Sequence, residues 1–248
     1  MRMRKKPNLA TRMEKAGAVW IKEPEGYKGK WRESFPEYTF FHLELGCGKG
    51  RFTADTAGLH PDTFIAAVER VPDAMVVGME RCAQRGIKNV RFIDCDVKRL
   101  ADIAEPGEFD LIYINFCDPW PKSRDAKHRL TAPNFLRGYA GLLPIGGKVC
   151  FKTDNLALFR WSLSQLEEEG WSLSEVTNDL HANGVCGVMT DYEEKFHREG
   201  IRINRLVAER TENTKTLSSG EAPRLRNSSL VDARGYAESV RKNSEAEK

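Results

Sequence analysis

The 248-residue chain lacks any apolar run near the roughly 20 residues that a membrane-spanning helix needs. Its basic start, MRMRKKPNLA, leads into no apolar stretch of the kind a secretory signal carries. The six cysteines, at 47, 82, 95, 117, 150 and 186, form no CxxC and no Cys/His cluster with zinc spacing. These absences exclude a helical membrane span and argue against a disulfide framework or a metal site. The expectation is a cytoplasmic protein with reduced thiols, no metal and no membrane partner. Charge of one sign is also scarce. The formal net charge is +3, so overall charge does not by itself call for nucleic acid. Its placement is more telling: residues 1–6 carry four cations and no acid, and Lys122–Arg129 carries four cations against Asp125.

Hydrophobic residues make up 40% and charged residues 30%, enough for one large core with a wet surface. Residues 1–39 are basic and broken by Pro and Gly, and read as an N-terminal arm with at most one short helix. From Phe40 a pattern begins: apolar runs at 40–45, 63–69, 89–96, 109–116 and 146–154, with helical segments between them at 51–59, 72–84, 132–143 and 155–169. Two more strands are expected at 171–178 and 201–209. Such alternation predicts an α/β domain over 40–210: a doubly wound, mostly parallel sheet with helices on both faces. Ligands then bind at the carboxyl ends of the strands. Residues 211–248 are poor in large apolar groups and read as a disordered tail, with room for a weak helix near 230–242.

The first chemical motif is Glu44-Leu45-Gly46-Cys47-Gly48-Lys49-Gly50. Its glycines allow a tight turn and close backbone approach to a ligand. A dinucleotide fingerprint needs its third glycine at position 51, which is Arg. The E-x-G-x-G-x-G form instead resembles the glycine loop of class I methyltransferases. Glu44 suits an ammonium or sulfonium and would repel phosphate. Glu69, 23 residues after Gly46, can accept ribose hydroxyls. Asp94 and Asp96 end the third strand, and Asp96, further past the apolar run, is the better acceptor for an adenine amine. Glu69 alone could be an ordinary helix-entry acid and Asp96 alone a turn cap; the ordered series is the stronger signal.

The fourth strand runs into Asn115-Phe116-Cys117-Asp118-Pro119-Trp120-Pro121-Lys122. Two prolines stiffen this loop, Trp120 offers a flat face for a base, and Asp118 is placed to face the reacting centre. The sequel Lys122–Arg129 suits phosphates beside a target base, although a basic run more often only solvates a surface. Asp154, after the fifth strand, and Glu193, in a late loop, could accept the N–H donors of a guanine, or either could equally be a helix cap.

Together these residues resemble the bacterial tRNA (guanine-N7)-methyltransferase family. The similarity spans about residues 1–210. It rests on MRMR, YKGKW (27–31), LELGCGKGRF, INFCDPWPKSRDAKHRLT, FKTDN and MTDYEEKF. The resemblance implies a Rossmann-like class I methyltransferase fold, S-adenosylmethionine as cofactor, tRNA as partner, and methylation of a variable-loop guanine at N7. It implies cofactor contacts at Glu44, Gly46, Gly48, Glu69, Asp96 and Asp118, with Asp118 also catalytic. It implies substrate contacts at Lys122, Asp154, Thr190, Asp191, Tyr192 and Glu193, and RNA contacts at Arg124, Asp125, Ala126, Lys127, His128 and Arg129. Ala67 and His128 depart from residues common in the family. Two rivals share the layout: an exocyclic-amine methyltransferase, which usually carries N/D-P-P-aromatic at this strand end, and a non-catalytic RNA-binding module. Oligomeric state is open.

Overall fold

The structure, a computed structural model, describes residues 5–217. The chain starts with α1 (Leu9–Lys15), a two-residue strand β1 (Trp20–Ile21) and the single turn α2 (Trp31–Ser34). A regular alternation follows: β2 (Phe40–Leu45), α3 (Arg51–Leu59), β3 (Thr63–Glu69), α4 (Pro72–Gln84), β4 (Val90–Asp94), α5 (Leu100–Ile103), β5 (Leu111–Asn115), α6 (Pro133–Leu142), β6 (Lys148–Thr153) and α7 (Leu156–Glu168). The last elements are β7 (Ser172–Thr177), α8 (Asp191–Arg198) and β8 (Asn204–Glu209).

The strands form one sheet in the order β1-β4-β3-β2-β5-β6-β8-β7. The strands from β1 to β6 run parallel, and β8 lies antiparallel between β6 and β7. All seven residues of β3 are buried, as a central strand covered on both faces requires. Its side chains alternate between two cores: Phe64, Ala66 and Val68 pack on one face, Ile65 and Ala67 on the other. The sheet is therefore doubly wound, as the alternating apolar runs predict.

At both ends the structure adds contacts that the sequence reading did not give. Residues 5–39, read as an arm, pack on the sheet domain. Leu9 and Met13, four apart on α1, are buried with Met75 and Met79 of α4. β1 adds a parallel strand beside β4. Trp31 is fully buried, its indole N–H donates to the Ile103 carbonyl at 2.8 Å, and its ring stacks with Tyr27 and Phe35. Tyr27, Trp31 and Phe35 stand four apart, a helical spacing, but only Trp31–Ser34 is α-helical there, and the partners that bury Trp31 lie far along the chain. At the other end, residues 211–217 dock on the C-terminus of α7, where the Lys215 N–H donates to the Glu169 carbonyl. Gly170 (φ 81°) is needed there, because a Cβ would sit 2.4 Å from the Asn213 carbonyl oxygen. The rest of the expected tail, including 230–242, lies outside the described residues.

Candidate active site

Because β2 to β6 are parallel, their carboxyl ends share one edge of the sheet. A cavity of about 720 Å³ opens there, and Glu44, Gly46, Glu69, Asp96, Asn115 and Asp118 all contribute to its lining. That volume suits a nucleoside-sized ligand.

Three positive-φ glycines shape the floor, and they do different jobs. Gly46 (φ 75°) and Gly48 (φ 56°) are required by backbone conformation, and a Cβ on either would meet no protein atom. Gly50 is required by packing, since its Cβ would come 2.6 Å from the Cα of Gly78 in α4. Glu69 clamps the loop from β3: its carboxylate accepts from the N–H groups of Gly48 and Val71, both at 2.9 Å. Glu44 lies beneath the loop, buried, accepting from the Thr53 hydroxyl at 2.6 Å. Burial pushes its carboxyl up to about 7, against the opposing pull of Thr53, Asn115 and Lys152. The Asn115 carboxamide is also buried and makes no hydrogen bond of good geometry. Asp96 lines the cavity while one carboxylate oxygen accepts from the Lys98 N–H at 2.9 Å, capping a short turn. Asp94 does not line the cavity.

The loop after β5 is held in an uncommon shape. Phe116 (φ 53°) and Trp120 (φ 41°) both adopt left-handed backbone conformations, each costing on the order of 1–3 kcal/mol. Surrounding contacts enforce them. The Phe116 N–H donates to the Lys152 carbonyl at 2.8 Å, and the Phe116 ring packs on Phe196 of α8. The Arg129 guanidinium donates to the carbonyls of Pro119 (3.0 Å) and Trp120 (2.9 Å) and lies over the Trp161 ring. Between these anchors Asp118 projects at the cavity mouth, mostly exposed, 3.7 Å from Arg70. The Trp120 ring packs on His128.

The basic segment therefore splits. Lys122, Arg124 and Lys127 are exposed, while Asp125, Ala126 and His128 are half-buried in a turn over 123–128. Arg129, expected among the RNA contacts, is half-buried and donates to loop carbonyls, so it also braces the Asp118 loop. Asp154 is exposed and does not line the cavity, and neither does Lys122.

The stretch 190–193 is corrected. It is not a loop but the start of α8, closed by a capping box in which the Thr190 hydroxyl accepts from the Glu193 N–H and the Glu193 carboxylate accepts from the Thr190 N–H. Thr190, Asp191, Tyr192 and Lys195 line the cavity. Glu193, expected to read guanine, is fully buried, and both its oxygens are engaged by Lys152 and His181. It braces the site from behind. The T-x-x-E spacing carried that signal. Thr53, His181 and Arg70 belong to the site's surroundings but to no motif, while Asn115 and Lys152 stand inside quoted motifs that gave them no role.

Comparison with known proteins agrees with this geometry. A family model described as "Putative methyltransferase" matches residues 39–206. A tRNA (guanine-N(7)-)-methyltransferase of Listeria monocytogenes serotype 4b (strain F2365) is 41% identical over 209 residues, covering 84% of this chain and 98% of that one. One of the same name from Geobacillus kaustophilus is 39% identical, covering 85% and 97%. Among solved structures, the 16S rRNA methyltransferase KamB superposes with a TM-score of 0.56 at 15% identity, over 73% of this chain and 91% of that one. A 16S rRNA (adenine(1408)-N(1))-methyltransferase variant from Catenulisporales acidiphilia gives 0.54 at 13%, over 74% and 91%. These two likenesses place the fold among Rossmann-like class I methyltransferases. With a carboxylate-lined cleft at the strand ends and relatives near 40% identity over most of its length, the chain belongs to the family of bacterial tRNA (guanine-N(7)-)-methyltransferases.

Proposed function

We infer that this protein transfers a methyl group from S-adenosylmethionine to N7 of a tRNA guanine, in the cytoplasm; the variable loop is the position that the sequence resemblance implies. The observation that carries the reading is the carboxylate-lined cleft joined directly, through the stiff Asp118–Pro121 loop, to the exposed cations Lys122, Arg124 and Lys127. The residues fit the cofactor. The floor offers buried carboxylates and two open glycines, a donor set suited to a cation and a ribose and unsuited to a pyrophosphate. Glu44 would hold the methionine end, Glu69 the ribose and Asp96 the adenine. When bound, S-adenosylmethionine supplies an electrophilic methyl on a sulfonium.

The chain's own part is orientation and electrostatics. Guanine N7 carries an in-plane lone pair and needs no base to deprotonate it. Aligning N7 with the methyl can contribute roughly 7–11 kcal/mol in favourable cases. Asp118, at the mouth, holds negative potential where the base becomes cationic. Among the described residues no helix is long and apolar enough to cross a membrane, and no group of three His, Cys, Asp or Glu side chains could hold a metal.

The direct test incubates the protein with labelled cofactor and bulk tRNA and identifies the methylated nucleoside. N7-methylguanosine, revealed by chain cleavage after borohydride and aniline, is the expected product. A methyl on an exocyclic amine, or tRNA binding with no cofactor binding by calorimetry, would refute the reading.

The exposed cations give a second prediction. Replacing Arg124 and Lys127 by glutamine is expected to raise KM for tRNA and to lower the slope of log affinity against log salt by about 2. An unchanged slope would show that these side chains do not meet phosphate.

A further inference from the structure

α8 forms one wall of the cleft, yet it has almost no hydrophobic anchor. Its single buried residue is Glu193. Helices usually hold their place by burying an apolar stripe. Here the buried contact is ionic. Lys152, at the end of β6, donates to the Glu193 carboxylate at 2.6 Å and to the Val188 carbonyl at 2.9 Å. His181 Nδ1 accepts from the Cys186 N–H, which leaves Nε2–H to donate to the other Glu193 oxygen at 3.1 Å. The Lys152 ammonium also sits over the Phe52 ring of α3, and its main-chain carbonyl takes the Phe116 N–H of the Asp118 loop. One residue thus touches both walls of the cleft. A buried ion pair is a poor source of net stability, because desolvation consumes most of its attraction. What it supplies here is a fixed, directional hold.

We propose that Lys152 is a positioning residue: through Glu193 it holds α8, and with it Thr190, Asp191, Tyr192 and Lys195, in register with the Asp118 loop so that the tRNA guanine meets a preformed cleft. The role rests on the reading of this cleft as the methyl-transfer site. On the outer side, ion pairs of Arg51 with Asp191 and Glu194 and of Arg81 with Asp191 tie the same helix to α3 and α4. They are solvent-accessible and contribute less.

The test compares Lys152→Met, Glu193→Gln and the double variant in the full chain. Met opposite Gln leaves no unpaired buried charge, so the double variant should melt within a few degrees of wild type even where Lys152→Met alone fails to fold. Hydrogen exchange of amides 190–198 is expected to quicken at least about tenfold in the double variant. KM for tRNA is expected to rise about tenfold in each folded single variant and no further in the double, because both changes remove one hold. Lys152→Arg, which keeps the cation, should recover part of that loss. Wild-type exchange in the double variant would overturn the proposal. So would singles whose effects on KM multiply to about a hundredfold, as independent contacts would. If the wild type fails to methylate tRNA, the functional reading falls, while the exchange data still decide whether Lys152 anchors α8.

Discussion

An Asp118→Asn protein is expected to turn over about 100-fold more slowly than wild type, with cofactor affinity changed much less. Asparagine keeps the size and one acceptor oxygen and removes the charge, so the substitution isolates electrostatics from shape. Removing one preorganised electrostatic partner from a developing charge typically costs 10²- to 10³-fold. The surrounding loop makes such preorganisation credible. Two left-handed residues, Phe116 and Trp120, flank Asp118. Arg129 grips the following carbonyls, and two prolines limit the loop's freedom. Strain of this kind persists only where neighbours enforce it, and here it aims a carboxylate into the cleft mouth. Single-turnover rates with saturating cofactor would measure the effect. Full turnover with normal cofactor binding would sink the assignment.

The second large effect concerns Glu44. Burial raises its carboxyl from an ordinary 4.5 to about 7. The sign follows from linkage. A carboxyl raised in the folded state contributes stability below about pH 4.5 and loses it as pH rises through about 7. At about 1.4 kcal/mol per pH unit, the ionised side chain costs the ligand-free fold on the order of 3 kcal/mol above pH 7. A bound cation favours the ionised form and repays that cost. Glu44→Gln is therefore expected to melt higher than wild type at pH 8, with the advantage vanishing near pH 4.5, and to bind cofactor weakly at every pH. Wild-type cofactor affinity should fall up to about tenfold per unit as pH drops below 7. Calorimetry between pH 6 and 8 checks this. A flat profile, or a glutamine variant that binds as wild type does at pH 8, would show that Glu44 does not face the cation.

The parallel strands and the glycine loop were legible because their signals are local. Apolar runs of strand length alternate with helical ones, and Gly, Pro and Asn punctuate them at the observed ends; Asn155, read as a cap, accepts from the Leu158 N–H at 2.8 Å. The N-terminal layer was not legible. Trp31 is buried by α5 and β3, far along the chain, and nothing in its neighbourhood announces that.

The sequence by itself determined that these acids fall at strand ends, and so on one sheet edge: Glu44 near the end of β2, Glu69 at the end of β3, Asp96 after β4 and Asp118 after β5; their order along that edge, Asp96, Glu69, Glu44, Asp118, comes from the sheet topology. Strand ends are set by residues a few positions apart, so placing them needs no knowledge of distant contacts. Only the tertiary structure decided which of several similar charges face the cleft and which are spent. Arg124 is exposed while Arg129 holds the loop. Asp191 lines the wall while Glu193, two residues on, is sealed behind it by a lysine 41 residues away. Burial and partnership depend on long-range approach, and a charged residue's local sequence carries little record of either.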